Sequence, residues 1–344
     1  MALLLAHSFP EARLYTSLYD PEATFAGFAE VEVITSPLQR WRVLQRHHRL
    51  GLPLYARSFS RALIDADVTI CSSSGWAHGV ATTGAKVVYC HAPARWLYQR
   101  ERYVGHGPHP LRQIAARGLG APLRHWDRRA AATATTYLAN STVTASAIAR
   151  LYGRTAEVLP PPPALRPEGP QRPVEGLEPG YLLCVARLLA YKNVDQVLAA
   201  GALVNRPVVV VGDGPEAAHL AALARPGDRL LGRVDDETLR WLYANASLLV
   251  AASYEDYGLT PLEAAASGVP TVALGEGGYL DTIVDGETGL FADAPTAGAL
   301  ASAITEALGH RFDSARLRAQ ADRFSADGFS ARLHAIVESL SPLR

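Results

Sequence analysis

Only three cysteines occur in 344 residues, and Cys71, Cys90 and Cys184 each sit far apart inside an apolar run. With no Cys-x-x-Cys pair and no regular spacing, neither a disulfide framework nor a thiolate metal centre can organise the chain. A reducing, cytoplasmic setting fits. Long hydrophobic runs are equally scarce. No apolar stretch reaches the ~20 residues that span a bilayer. The opening MALLLAHSF lacks a basic lead and runs directly into acidic and aromatic sequence, so it is not read as a signal peptide. Net charge is missing as well, since 33 Lys/Arg balance 33 Asp/Glu. That zero hides an asymmetry: residues 1–165 carry 18 basic against 10 acidic side chains, and 166–344 carry 15 against 23, giving +8 and −8. A basic first half suits an anionic partner such as a phospholipid surface or a lipid pyrophosphate.

A chain of this length favours two domains over one core. The boundary is the segment LPPPPALRPEGPQRPVEGLEPG (159–180), too rich in Pro and Gly to continue a helix or sheet. On either side, short apolar runs alternate with longer amphipathic ones, the pattern of βαβ units and parallel sheets. In the first half VEVITS (31–36), DVTICSSS (67–74), KVVYCHA (86–92) and TYLANS (136–141) are predicted strands. In the second half YLLCVARL (181–188), PVVVVGDG (207–214), RLLGRV (229–234), SLLVAAS (247–253) and PTVAL (270–274) are predicted strands too. DDETLRWLYANA (235–246) opens with acidic residues and is amphipathic, a helix between two of them. The expected class is therefore α/β, with two Rossmann-like domains whose parallel sheets face across a cleft. Ligands of such sheets bind at the carboxyl ends of the strands.

Three elements of the second half carry chemistry together. In ARLLAYKN (186–193), Arg187 and Lys192 flank a strand-to-helix turn. Two cations there can clamp a diphosphate, or can be solvated surface charges. In VVVVGDGPE (208–216) a buried strand meets Gly212 and Gly214, which permit close backbone approach. In SYEDYGLTPLEAAASGVP (253–270), Glu255 and Glu263 are separated by seven residues. Thr260 is a candidate helix cap with Pro261 at the first position, Gly268 and Pro270 end the helix, and Glu263 then falls in the first turn. The loop amides and the carboxylates supply donors for anionic oxygens and acceptors for sugar hydroxyls. A Glu at a helix start alone is more simply explained by the helix dipole.

EDYGLTPLE, followed by SGVPTVAL, a Gly-Gly pair and DGETGLF (285–291), closely resembles glycosyltransferase family 4, and ARLLAYKN resembles that family's diphosphate-binding segment. The likeness extends over most of 31–325. It implies a GT-B fold and a retaining, metal-independent hexosyltransferase. By that resemblance Arg187 and Lys192 bind the donor diphosphate and stabilise the leaving group. Glu255 holds donor sugar hydroxyls, with Gly212, Gly214 and the backbone around Tyr257, Gly258, Leu259 and Thr260 at the donor. Glu263 accepts from the ribose hydroxyls, and Arg233 lies near the base. The implied domains are 1–165 for the acceptor, 166–180 as linker, 181–325 for the nucleotide sugar, and a last helix in 326–344 that crosses back onto the first.

In the first half, SSSGWAHGV (72–80) and KVVYCHAPARWLYQRERY (86–103) resemble a subgroup of the same family, the bacterial mannosyl- and hexosyltransferases of surface polysaccharide assembly. This implies His91 beside the donor sugar, among the catalytic set with Arg187, Lys192 and Glu255, and Arg95 and Trp96 near the acceptor. His78 is a second candidate, with a structural role as its alternative. The segment 38–61 interleaves Arg40, Arg42, Arg46, Arg49, Arg57 and Arg61 with Trp41, Leu44, Leu50 and Tyr55. Such a basic amphipathic helix can lie on an anionic membrane or can be a solvated helix face. No nucleic-acid motif accompanies it. Asp65-Ala-Asp67 is formally the Asp-x-Asp of metal-dependent transferases, yet it precedes a strand rather than ending one, and no metal is expected.

Members of the family begin with a strand, a Gly-rich loop and a helix, whereas MALLLAHSFPEARLYTSLYDP looks like the second half of that helix. On this reading some 20–30 residues precede Met1 in the biological chain. The expected co-substrate is a nucleoside diphosphate sugar, GDP-mannose ahead of UDP-glucose, with no further cofactor and a lipid-linked or glycan acceptor. The expected location is cytoplasmic, with peripheral contact at the inner membrane face. The alternatives are a nucleotide-sugar-binding protein without turnover, a truncated inactive transferase, and a nucleotide-sugar epimerase on the same fold.

Overall fold

The computed structural model describes residues 1–46, 51–99 and 110–341, with the side chains of 46, 52, 53 and 110–119 left out of the description. The chain forms two compact units, Met1–Pro161 with Ala326–Arg344, and Pro162–Ser325. Each is described by itself.

In the first unit, β1 (Leu14–Thr16) pairs with β2 (Val33–Thr35), and β3 (Leu63–Ile64) with β5 (Ala81–Thr82). The main sheet is β4 (Val68–Ser73), β6 (Ala85–Cys90), β7 (Thr136–Ala139) and β8 (Glu157–Val158), in that order and all parallel. Side chains alternate across a strand, so Val88 and Cys90 face one core while Val87 and Tyr89 face another. The first core also holds Cys71, Tyr137 and Ile148. The second is closed by Leu5 of the helix Ala2–Ser8 and by Phe329 and Leu333 of the helix Ala326–Leu340. All three cysteines are buried thiols, and burial pushes Cys71 up to about 11 and Cys184 up to about 12.

The second unit holds β9 (Tyr181–Val185), β10 (Val208–Val211), β11 (Arg229–Leu230), β12 (Ala246–Ala251), β13 (Thr271–Leu274) and β14 (Gly289–Ala292). They form one parallel sheet in the order β11-β10-β9-β12-β13-β14. Both faces are apolar: Leu182, Cys184, Val208 and Val210 lie in one core, Tyr181, Leu183, Val209 and Val211 in the other. The chain starts in the middle of this sheet, winds outward through β10 and β11, then returns to the far side of β9 with β12. That reversal leaves a switch point between the carboxyl ends of β9 and β12, where doubly wound sheets take their ligands.

Helix ends follow local chemistry, with two corrections to the expectation. The helix Asp236–Asn245 is capped as its sequence suggests, the Asp235 carboxylate accepting from the Thr238 amide at 2.9 Å. The helix Leu259–Ala266 is instead capped by Gly258 with no side-chain bond, so Thr260 is its second residue and not its cap. Glu263 is then its fifth residue, beyond the first turn. Its stop is as read, for Gly268 takes φ +77 and donates to the Ala265 carbonyl at 2.9 Å. The basic segment is not one helix either. A 3-10 turn Pro37–Arg40, a short helix Arg42–Arg46 and a helix Leu52–Arg61 divide it, Gly51 capping the last with Pro at its first turn.

Candidate functional site

The site is assembled by four loops at the carboxyl ends of β9, β10, β12 and β13. Lys192 ends a 3-10 turn, Ala190–Lys192, and Asn193 follows in the left-handed region at φ 54. The Asn193 side chain donates to the Ala252 carbonyl at 2.9 Å, tying the loop after β9 to the one after β12. Across that tie the Lys192 ammonium pairs with Glu255 Oε1, the two side chains keeping 15% and 14% of their exposure. The Ser253 hydroxyl donates to the same Oε1 at 2.8 Å and lies 3.4 Å from the buried Tyr279 hydroxyl. Burial first, and the Glu255 charge second, push the Tyr279 phenol well up, so it stays a neutral donor.

The glycines serve the approach of one loop to the next. A Cβ on Gly212, which has φ +132, would sit 1.9 Å from the Ala186 carbonyl oxygen, and one on Gly214 would sit 2.2 Å from that of Leu188. What these glycines admit is the backbone after β9, the close approach their sequence position suggested. Gly277, at φ +73, is packed on the Glu255 backbone, and the Gly278 amide donates to the Glu255 carbonyl at 2.8 Å. Glu255 is thus held by its own backbone, by Ser253 and by Lys192. The four residues Tyr257, Gly258, Leu259 and Thr260 enter the helix Leu259–Ala266, whose first amides have no intrahelical acceptor. Gly258 is buried under Tyr279, where a Cβ would meet the ring at 2.7 Å.

The other expected donor residues have different settings. Arg187 is exposed. Arg233 keeps 85% of its exposure and lies 4.0 Å from Asp213, a surface pair of little weight. Glu263 does not join Glu255: its Oε2 accepts from the Tyr243 hydroxyl at 2.9 Å. Burial raises its carboxyl above the usual range, against the Tyr243 hydrogen bond and a backbone bond from Leu165 that lower it.

In the first unit, His91 follows β6 and its Nε2 lies 2.9 Å from Ser72 Oγ. Burial pushes its imidazole down to about 4, with nearby positive charge adding to that, so it is neutral at pH 7. His78 is a buried structural group: Nδ1 lies 3.0 Å from Ser73 Oγ, Nε2 lies 3.1 Å from Asp127 Oδ1, and Tyr98 donates to Asp127 Oδ2 at 2.8 Å. Trp96 stacks on Trp76 with centroids 4.6 Å apart, and Arg95 opens the same short helix, Arg95–Tyr98. Arg40, Arg42, Arg57 and Arg61 are exposed, as are Trp41 at 56% and Val43 at 61%. The Arg46 side chain, Arg49 and Leu50 lie outside the described residues. Asp65 Oδ1 accepts from Thr83, on the amino side of β4.

Residues 166–324 match the family described as Glycosyl transferases group 1. The chain carries a group 1 glycosyltransferase domain. The matched stretch contains every switch-point residue named above, from Arg187 to Tyr279. Among curated relatives, the chain is similar to the alpha-1,3/1,6-mannosyltransferase ALG2 of Dictyostelium discoideum, 33% identical over 31% of this chain and 27% of that protein. It is also similar to a GDP-mannose-dependent alpha-(1-6)-phosphatidylinositol monomannoside mannosyltransferase of Mycobacterium tuberculosis, 30% identical over 49% of this chain and 51% of that one. The match thus spans between about a quarter and a half of these relatives' lengths. Among solved structures, sucrose-phosphate synthase from Thermosynechococcus elongatus superposes with a TM-score of 0.69 at 19% identity, covering 98% of this chain and 90% of that one. That is a likeness of fold, and the fold is GT-B.

Sequence reading missed Asn193, Ser253, Tyr243 and Tyr279. Asn193 had a local signal, since an Asn next to a strand-to-helix turn is one of the few residues that tolerates φ above zero. Tyr243 and Tyr279 act across 20 and 26 residues, and Ser253, two residues from Glu255, carries no pattern that sets it apart from any serine after a strand.

Proposed function

We propose that the chain is a retaining glycosyltransferase that moves a hexose, mannose by preference, from a nucleoside diphosphate sugar to a lipid-linked or glycan acceptor. The observation that carries this reading is the Lys192–Glu255 pair at the switch point of the group 1 domain. Lys192 and the exposed Arg187 supply the countercharge for a diphosphate, so a metal ion is not needed there. Binding draws Lys192 toward phosphate and releases Glu255 and Ser253 to the sugar hydroxyls. The amides at Gly258, Leu259 and Thr260 meet developing negative charge. Glu263 accepts from the ribose, and Arg233 lies at the base.

Retention follows from departure of the diphosphate on the face the acceptor enters, the diphosphate oxygen itself taking the acceptor proton. No protein nucleophile is required. His91, neutral at pH 7, is suited to donate to or accept from a sugar hydroxyl without adding charge. The two mannosyltransferase relatives support mannose and, in one of them, guanine as the base. Exposed Trp41 and Val43, which alternate with Arg40 and Arg42, support peripheral contact with an anionic membrane face. Among the described residues no helix is long and apolar enough to cross a membrane.

The test is turnover of GDP-mannose and UDP-glucose with a polyprenyl-linked or oligosaccharide acceptor in EDTA, with the product anomer read by NMR. Transfer with the donor's anomeric configuration kept is expected. An inverted product, or release of nucleotide only when a divalent ion is added, contradicts the reading.

A further inference from the structure

Glu263 is held from behind. Its partner Tyr243 lies in the last turn of the helix Asp236–Asn245, has no exposed surface, and packs with Tyr181, Leu183, Ala264 and Val269. The Tyr243 hydroxyl is therefore carried into an apolar core to meet one partner, Glu263 Oε2, at 2.9 Å. Phenylalanine would fill the same volume without needing an acceptor, whereas a buried phenol left unpaired is costly. A second donor, the Leu165 amide, reaches the same carboxylate. Leu165 is itself buried in that core, although it belongs to the irregular stretch leading to β9. A glutamate side chain has several rotamers on a helix, and two donors from separate elements select one of them.

We propose that Tyr243 is a positioning residue: with the Leu165 amide it fixes the Glu263 carboxylate so that a donor's ribose diol meets an acceptor already in place, which sets discrimination between ribo- and 2′-deoxyribonucleotides. This rests on the reading of Glu263 as the ribose acceptor. Orienting the carboxylate beforehand removes the cost of ordering it on binding. The deoxy ligand, lacking the hydroxyl, gains nothing from that order.

The experiment is calorimetric titration of GDP, UDP and their 2′-deoxy forms into the wild type, Y243F, E263D and E263Q. A charge-assisted hydrogen bond is worth enough to change affinity by about tenfold. Y243F and E263D are expected to lose about tenfold in ribonucleotide affinity while the 2′-deoxy ligand changes by less than about twofold. A general loss of structure would weaken both ligands alike. If E263Q abolishes the ribose preference while Y243F and E263D keep it, the positioning role is overturned and the ribose reading stands. If E263Q keeps the preference, the ribose reading falls and the positioning role falls with it.

Discussion

Replacing Lys192 by Met removes the cation that closes on Glu255. Two unit charges ~4 Å apart attract by about 4 kcal/mol at an effective dielectric of ~20. Loss of one partner from a buried pair costs about 3–5 kcal/mol, because the survivor stays desolvated. Here the side chains keep 15% and 14% exposure and Ser253 still donates to the carboxylate, so a smaller cost of about 2–3 kcal/mol is expected. E255Q should cost a similar amount by stranding the ammonium. The double variant K192M/E255Q removes both charges, and its cost should fall short of the sum by about 1.5–3 kcal/mol. Urea unfolding of the four proteins at one ionic strength gives the cycle directly. Costs that add within about 0.5 kcal/mol would mean the two residues are uncoupled, and the switch-point pairing would be refuted.

Three further outcomes are expected. G212A should be among the most damaging single substitutions in the second unit, by ~3 kcal/mol or more, since its Cβ meets a backbone oxygen at 1.9 Å and its φ is +132; a soluble variant with unchanged urea midpoint contradicts this. His91 has its folded pKa lowered to about 4, so the unfolded chain takes up that proton first as pH falls. Stability linked to His91 is therefore full above about pH 6.5 and is lost toward pH 4, by ~3 kcal/mol in all, and H91Q should flatten that part of the profile. Y89F should cost about 1–2 kcal/mol in urea unfolding, because the Tyr89 hydroxyl donates to the Leu159 carbonyl at 2.9 Å inside the core.

The longer strands were legible in the sequence because each is a β-branched or aliphatic run ending in small or polar residues. Val208–Val211 and Tyr181–Val185 have both faces buried, and continuous apolar runs are how such strands look. Three short strands were not legible: Leu63–Ile64, Ala81–Thr82 and Glu157–Val158 have two residues each, too few to show a period, whereas the equally short Arg229–Leu230 was read within the longer run RLLGRV. Gly289–Ala292 was seen only as part of the DGETGLF motif, since a leading Gly argues against a strand, yet Gly289 packs on the Thr271 carbonyl where a Cβ would stand at 2.1 Å.

Within the candidate site, residue types and loop positions were readable while partners were not. Lys192 and Glu255 are 63 positions apart and meet only because β9 and β12 are sheet neighbours. His78 and Asp127 meet because the helix Pro110–Ala132 covers the loop after β4, and no local pattern announces such a pairing. The Thr260 cap failed for a local reason. Gly258 turns under Tyr279, which starts the helix two residues early and moves Glu263 out of the first turn, where it meets Tyr243.

The central claim is that the switch point between β9 and β12 binds a nucleoside diphosphate sugar. Thermal unfolding of the chain with GDP-mannose, UDP-glucose and a dTDP-sugar at matched concentration, repeated on K192M, tests it most directly. At a hundred times the dissociation constant, binding should stabilise the wild type by about 2.7 kcal/mol for one nucleotide class, with the shift largely lost in K192M. No shift with any nucleotide sugar, or a shift that K192M retains in full, would contradict the claim.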